Sequence, residues 1–207
     1  MDAALTLRTA GRYRFAVSLA ACRELSSGRS AMRLIRLQHQ IAALFLLPLC
    51  SITAAAQSAG LAAVRQSIRV IYDVPQLSTD SLASWLAGPD IPPILIDVRS
   101  ADEFAVSHLR GARRLDPKAE NLLSLNDLPR DTPVVTYCSV GIRSSAMARR
   151  LLRAGFTNVA NLDGSIFAWA NEGRTVYRRD QPVSEVHPYN ALWGRLLDAE
   201  LRAPLNR

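Results

Sequence analysis

Short apolar runs alternate with polar, periodic stretches along the last 150 or so residues of this chain, enough for one domain with one core. Arg69-Val-Ile-Tyr72 reads as a short strand. Ser78 or Thr79 then caps a helix that shows Leu82, Trp85 and Leu86 on one side and stops at Gly88-Pro89. Ile94 to Asp97 is an apolar strand, and Ser100-Ala-Asp-Glu103 opens a helix to about Ser107 as a capping box. A turn at Gly111 leads to an extended piece from Arg113 to Leu115. A helical turn around Asn121 to Leu125 and a loop from Leu128 to Pro133 follow. The run from Pro133 to Tyr137 is β-branched and aromatic, a buried strand. A helix from about Arg143 to Arg153 carries Met147, Leu151 and Leu152 as its apolar side, and Gly155 stops it. Asn158 to Leu162 is a further strand. Gly164 to Glu172 is a helix packed through Ile166, Phe167 and Trp169. Alternation of this kind implies an α/β fold with a mainly parallel sheet covered on both faces. Ligands of such sheets bind beyond the carboxyl ends of the strands.

The first 56 residues have a different character. From Met32 they read as a secretory signal: Arg33 and Arg36 form a charged start, Ile41 to Leu49 an apolar centre, and Ala54 and Ala56 a cleavage site before Gln57. The apolar stretch is short for a membrane span, and Leu47-Pro48-Leu49 lacks the small residue that lipidation at Cys50 would need. The expected organisation is a targeting segment over 1–56, a globular domain over 68–175 and an extension over 176–207. The mature protein is expected in the periplasm or outside the cell, with no stable membrane span after processing. In the extension, Pro188 to Asn190 followed by Leu192, Trp193, Leu196, Leu197 and Leu201 reads as a capped amphipathic helix. That helix either packs back onto the domain or forms a homodimer face.

Charge and cysteine count narrow the chemistry. The chain carries a formal +7, but residues 1–56 hold seven arginines against Asp2 and Glu24, and the remainder has 18 basic and 16 acidic side chains. The basicity belongs to the targeting segment, so a nucleic-acid partner loses its main support. Of the three cysteines, Cys22 and Cys50 fall in that segment. Cys138 is then alone in an oxidising compartment and cannot be a structural staple. It sits directly after a strand and before a helix. Cys138-Ser-Val-Gly-Ile-Arg143 is a turn that Gly141 allows to close, so its amides and the following helix dipole point inward. Arg143 and Ser144 add donors. A thiol there should ionise well below its free value near ~8.5. His108 and His187 are not spaced as metal ligands, and no metal is expected.

Leu95-Ile-Asp-Val-Arg-Ser-Ala-Asp-Glu-Phe104 with His108-Leu-Arg-Gly-Ala112 resembles the first signature of rhodanese-type sulfurtransferases. Tyr137-Cys-Ser-Val-Gly-Ile-Arg-Ser144, with Leu152, Gly155, Phe156 and the run from Leu162 to Trp169, resembles the second. The likeness covers roughly residues 75 to 175 and one copy of the domain. It implies a central parallel five-stranded sheet flanked by helices, and a double displacement in which a cysteine takes a sulfane sulfur and passes it to cyanide or a thiol. Asp97 and Arg99 match the family's paired signature, where such residues support the site rather than touch substrate. Four residues separate Cys138 from Arg143, whereas phosphatases of similar fold have five and usually carry histidine where Tyr137 stands.

The expectation is therefore a thiolate Cys138 that attacks a donor such as thiosulfate. Its persulfide would lie in a cradle made by Ser139, Val140, Gly141, Ile142, Arg143 and Ser144, with Arg143 orienting an anionic donor. No organic cofactor is required. The small or apolar side chains of Ser139, Val140 and Ile142 discriminate little, and one arginine leans towards a compact anion. A non-catalytic module that carries sulfur or senses redox state is the alternative, and a Cys-dependent phosphatase is the weakest reading.

Overall fold

The computed structural model describes residues 56–118, 122, 125 and 127–205. The expected targeting segment up to Ala55 lies outside the described residues, as does most of the stretch from Asn121 to Leu125. Of the latter, Leu125 donates its amide to the Leu122 carbonyl at 2.8 Å, a single turn.

Strands β1 (Gln76–Leu77), β2 (Ile94–Asp97), β3 (Arg113–Arg114), β4 (Val134–Tyr137) and β5 (Val159–Leu162) form one sheet in the order β1-β5-β4-β2-β3. Every pairing is parallel. The expected central parallel sheet is thus present. Register places Asp97 beside Tyr137, so the segments that leave β2 and β4 emerge side by side at one edge. Along β4, side chains alternate with the period of a strand. Val135 and Tyr137 join a core with Leu82, Leu162, Ile166 and Phe167. Val134 and Cys138 face the opposite core, with Met147, Ala148 and Leu151.

The helices are α1 (56–71), α2 (Thr79–Ala87), α3 (Ala101–Val106), α4 (Ile142–Arg153) and α5 (Ser165–Asn171). Local chemistry explains the starts of two. Ser78 Oγ accepts from the Ser81 amide at 3.0 Å to cap α2. Ser100 and Glu103 form the reciprocal capping box of α3, with amide-to-side-chain distances of 3.2 and 3.0 Å. Helix α4 covers one face of the sheet, and α1, α2 and α5 supply core residues to the other.

Two expectations are corrected. Residues 69–71 close helix α1 and are not a strand. Leu61, Val64 and Ile68 recur three and four residues apart and pack against the body of the protein, while β-branched Val70 and Ile71 face solvent. The helical stripe outweighs the β-propensity of the last three residues. Secondly, no α-helix runs through 188–201. The segment makes two 3-10 turns, Trp193–Leu196 and Ala199–Leu201. Leu197 and Val186 are fully buried in the domain core, and the Arg202 guanidinium donates to the Leu197 carbonyl at 2.8 and 2.7 Å. A continuous helix could not turn both Leu197 and the stretch around Val186 inward, and tertiary packing prevails. The compact unit therefore begins before residue 68 and runs past 175. A hairpin of β6 (Val176–Arg178) and β7 (Gln181–Val183) also belongs to it. His108 ties that hairpin down by exchanging backbone hydrogen bonds with Tyr177, and its ring stacks on Phe104.

If α1 is an integral part of the fold, Ile68→Ala will lower the free energy of unfolding by about 2–5 kcal/mol, as for other buried Ile-to-Ala changes. Denaturant titration of the full chain measures this, and a loss below about 0.5 kcal/mol would show that α1 is only loosely docked.

Candidate active site

Strand β4 delivers Cys138 to the carboxyl edge of the sheet, where it is buried and, among the described residues, unpaired with another cysteine. The loop that follows is held from below by the start of α5. The amides of Ile166 and Phe167 donate to the carbonyls of Cys138 and Ser139 at 3.2 and 3.1 Å. In a planar peptide the next amide points opposite to the carbonyl, so the Ser139 and Val140 N–H groups face away from α5. The Cys138 amide itself is spent on Ser165 Oγ at 3.1 Å. Ser165 adopts φ +53°, a left-handed conformation unusual for a serine, which sets its hydroxyl under the cysteine.

Gly141 closes the loop with φ +116° and caps α4. Its amide donates to Cys138 Sγ at 3.2 Å, and Ser144 Oγ lies 3.5 Å from the same sulfur. A side chain at position 141 would press on Ile68 of α1, 3.1 Å from an ideal Cβ. The single proton of the Ser144 hydroxyl is directed at Asn161 Oδ1, 2.6 Å away, with the sulfur as its longer contact, and Asn161 donates in turn to Gln76 Oε1 at 2.7 Å. The hydroxyl beside the sulfur is thereby oriented from β5 and β1.

Burial pushes the Cys138 thiol up. The Arg143 charge, the Ser144 hydroxyl and the amides of Ser144 and Gly141 pull it down further, and the net pKa lies below the ordinary thiol value. The positive end of α4 acts in the same direction.

Arg143 is not free. It grips Glu103 with both amino groups at 2.8 and 2.7 Å and touches Ser139 Oγ at 3.0 Å. Ser139 Oγ in turn donates to Glu103 at 2.9 Å. Burial alone would raise the Glu103 carboxyl, but its bonds to Arg143 and the Ser100 amide bring it down to about 2. On its outer side Arg143 lies against the Tyr189 ring, 4.8 Å from the centroid.

The expected cradle residues thus divide. Gly141 and Ser144 reach the sulfur, and Ser139 and Arg143 form a buried network with Glu103. Ile142 and Val140 line the cavity over the cysteine, and Val140 also joins the apolar core. Asp97 and Arg99 make a fully buried ion pair at 2.6 Å. Asp97 Oδ1 also accepts from the Arg99 amide at 3.0 Å, and Arg99 Nη2 donates to the Ser107 carbonyl at 2.6 Å. The pair braces the turn after β2, next to Tyr137. Among the described residues, no cluster of His, Cys, Asp or Glu could hold a metal ion, and no helix is long and apolar enough to cross a membrane.

Five residues of the site were not singled out from sequence: Glu103, Asn161, Ser165, Tyr189 and Trp193. The capping box revealed Glu103 as a helix-start residue, but not that its carboxylate also receives Arg143. For Tyr189 and Trp193 the only signal was an apolar pattern, which pointed to a helix. Both line a cavity of about 120 Å³ that opens over Cys138.

A glycine-closed loop at the carboxyl edge of a parallel sheet, holding one activated thiol, defines a cysteine-dependent α/β enzyme class. A rhodanese-like domain model matches residues 78–172. The chain is 33% identical over 100 residues to a sulfurtransferase of Allochromatium vinosum, covering 48% of this chain and 92% of that protein. It belongs to the rhodanese family of sulfurtransferases. It is also 37% identical over 79 residues to a probable adenylyltransferase/sulfurtransferase, MoeZ, of Mycobacterium tuberculosis, of whose length it covers 20%, using 38% of its own. The crystal structure of BH2092 protein from Bacillus halodurans matches in fold, with a TM-score of 0.50 at 20% identity, over 65% of this chain and 96% of that one.

Because the thiolate is the reactive form, a lowered pKa keeps Cys138 reactive at lower pH. The rate of alkylation by iodoacetamide should reach half its plateau at a pH below that of a free cysteine peptide. In Ser144→Ala that midpoint should move up. An unchanged midpoint would remove Ser144 from the thiolate's support. Gly141→Ala should cost about 1–3 kcal/mol of stability through its left-handed backbone, read by thermal or denaturant unfolding.

Proposed function

We propose that this protein moves a sulfane sulfur from a small donor to a thiophilic acceptor by way of a persulfide on Cys138. The observation that carries this reading is the buried Cys138 sulfur with the Gly141 amide 3.2 Å away and a pKa drawn below that of an ordinary thiol. In the first half-reaction the thiolate attacks the outer sulfur of a donor such as thiosulfate. A new S–S bond forms to Cys138, the donor's own S–S bond breaks, and its electron pair leaves with sulfite. The persulfide carries one negative charge on its outer sulfur, where the inward amides and the positive end of α4 stabilise it as donors in an oxyanion hole stabilise oxygen. In the second half-reaction cyanide or a thiolate attacks that outer sulfur, and the electron pair returns to Cys138. Charge balances in both halves, and neither a metal nor an organic cofactor is called for.

The full chain, given thiosulfate and cyanide, should produce thiocyanate, and after thiosulfate alone Cys138 should gain the mass of one sulfur atom. Cys138→Ser should do neither. Absence of both signals from the unmodified protein would end the sulfurtransferase reading.

Residues 1–56 are in addition proposed as a cleaved export signal. Gln57 bonds to Asp198 and Leu61 is core, so a cut after Ala56 would leave both contacts in place. N-terminal sequencing of the protein from its own cell should begin at Gln57, and a cytosolic protein retaining Met32 would refute export.

A further inference from the structure

The cavity over Cys138 does not end at the loop. Its rim residues Ile142 and Trp193 also line a second, adjoining cavity of about 330 Å³. That trough runs along α1 over Ala63, Val64, Ile68, Ile71 and Tyr72, and the Ser67 hydroxyl beside them is spent on the Ala63 carbonyl at 2.9 Å. Its lining is therefore mostly aliphatic and aromatic, with the Tyr72 hydroxyl and the Trp193 indole N–H as its polar points. The cation at the mouth, Arg143, is held by the double contact with Glu103 and lies against the Tyr189 ring, so a compact dianion would share it with a carboxylate.

The wall between mouth and trough is built with care. Tyr189 holds φ +64°, and its amide donates to His187 Nδ1 at 3.0 Å. Asn190 Oδ1 then accepts from the amides of both Leu192 and Trp193, at 3.0 and 2.9 Å. Strain of this kind persists only where the surroundings over-determine it, and it gathers at functional sites. Both the wall and α1 lie outside residues 78–172, the span matched by the family's domain model.

We propose that the trough along α1 is a subsite for an apolar alkyl or aryl group carried by the sulfur donor, so that the preferred donor is an organic sulfane-sulfur compound and not thiosulfate. This rests on the Cys138 persulfide reading and deepens it. Adjacency points to the occupant: a donor whose outer sulfur meets Cys138 Sγ has the trough beside it, past the shared residues Ile142 and Trp193. For an alkanethiosulfonate the step balances without any further reagent. The Cys138 thiolate takes the outer sulfur, the donor's S–S bond breaks, and the electron pair departs on the sulfinate. A cavity near 150 Å³ admits a benzene ring, so the two spaces together have room for a reactive head and a tail of several carbons.

The probe is a series with one reactive head and tails of increasing length: methane-, butane- and hexanethiosulfonate, with thiosulfate alongside, assayed with cyanide on the full chain. The kcat/KM ratio of hexane- to methanethiosulfonate should be at least tenfold. Ile71→Glu, at an exposed position that lines the trough, should bring that ratio close to one, while Val70→Glu, exposed on the same helix outside the trough, should keep it. A ratio that is flat in the unmodified protein, or one that Ile71→Glu leaves intact, would overturn the subsite. A flat ratio together with a dimer that Ile71→Glu dissociates in sedimentation would assign the trough to a second copy of the chain, and overturn it too. Failure of every donor to load Cys138 would instead sink the sulfurtransferase reading, and the subsite with it.

Discussion

The carboxylate of Glu103 joins parts of the site that are far apart in the chain. It accepts the Ser100 amide and so starts α3. It takes both amino groups of Arg143, forty residues later, and the Ser139 hydroxyl. One nearly buried anion thus ties the turn after β2 to the loop after β4. An isolated charge in that position would be costly, and its three kinds of partner are what make it tolerable. Arg143 in turn stays where its positive charge still reaches Cys138, which draws the thiol down against the effect of burial. Removing Arg143 would leave the Glu103 charge buried without its main partner, a larger penalty than the loss of an exposed ion pair.

This pairing separates two tasks that a lone arginine would combine. The charge of Arg143 supports the thiolate through space, while both of its amino groups are engaged with Glu103 and Ser139. Direct contact with the sulfur is left to the Gly141 amide and, at longer range, the Ser144 hydroxyl. Ser144 is steered by Asn161 and Gln76 across two strands, and Ser165 holds the cysteine's own amide. The loop is held on both of its sides, by the α5 amides on its carbonyls and by the Glu103–Arg143–Ser139 contacts. That support matters, since an amide fixed in place stabilises charge without reorganising when the charge appears. On the neighbouring strand the fully buried Asp97–Arg99 pair holds the turn that carries Glu103.

The C-terminal segment shows how far an apolar pattern can be trusted. Trp193, Leu196, Leu197 and Leu201 recur at helical spacing, yet they form two 3-10 turns. Close packing explains part of this. Gly194 sits so near Pro188 that a Cβ there would come within 2.7 Å of the proline ring. The segment follows the surface it covers, and the price of that fit is a tyrosine in the left-handed region. At the other end, Arg65 and Arg69 of α1 both bond Asp163 at the start of α5, which anchors α1 beside the loop it buttresses through Ile68.

Local chemistry in the chain was sufficient for four of the five sheet strands, four of the helices and the reactive residue; the two-residue edge strand β1 was not among the expected strands. Alternation of β-branched runs with capped periodic stretches depends on neighbours within a turn or a strand pair. A cysteine between a strand and a glycine-closed turn likewise announces itself over six positions. Which groups surround the sulfur was a different matter. Glu103 meets Arg143, Asn161 meets Ser144, and Tyr189 covers them, across separations at which no local spacing constrains contact. Only the parallel register of β2, β4 and β5 and the docking of the two flanking segments bring those side chains together. The same docking decided that the arginine would be paired with a carboxylate and that Tyr189 and Trp193 would line the mouth, because burial and partnership are properties of the packed molecule and not of the residue.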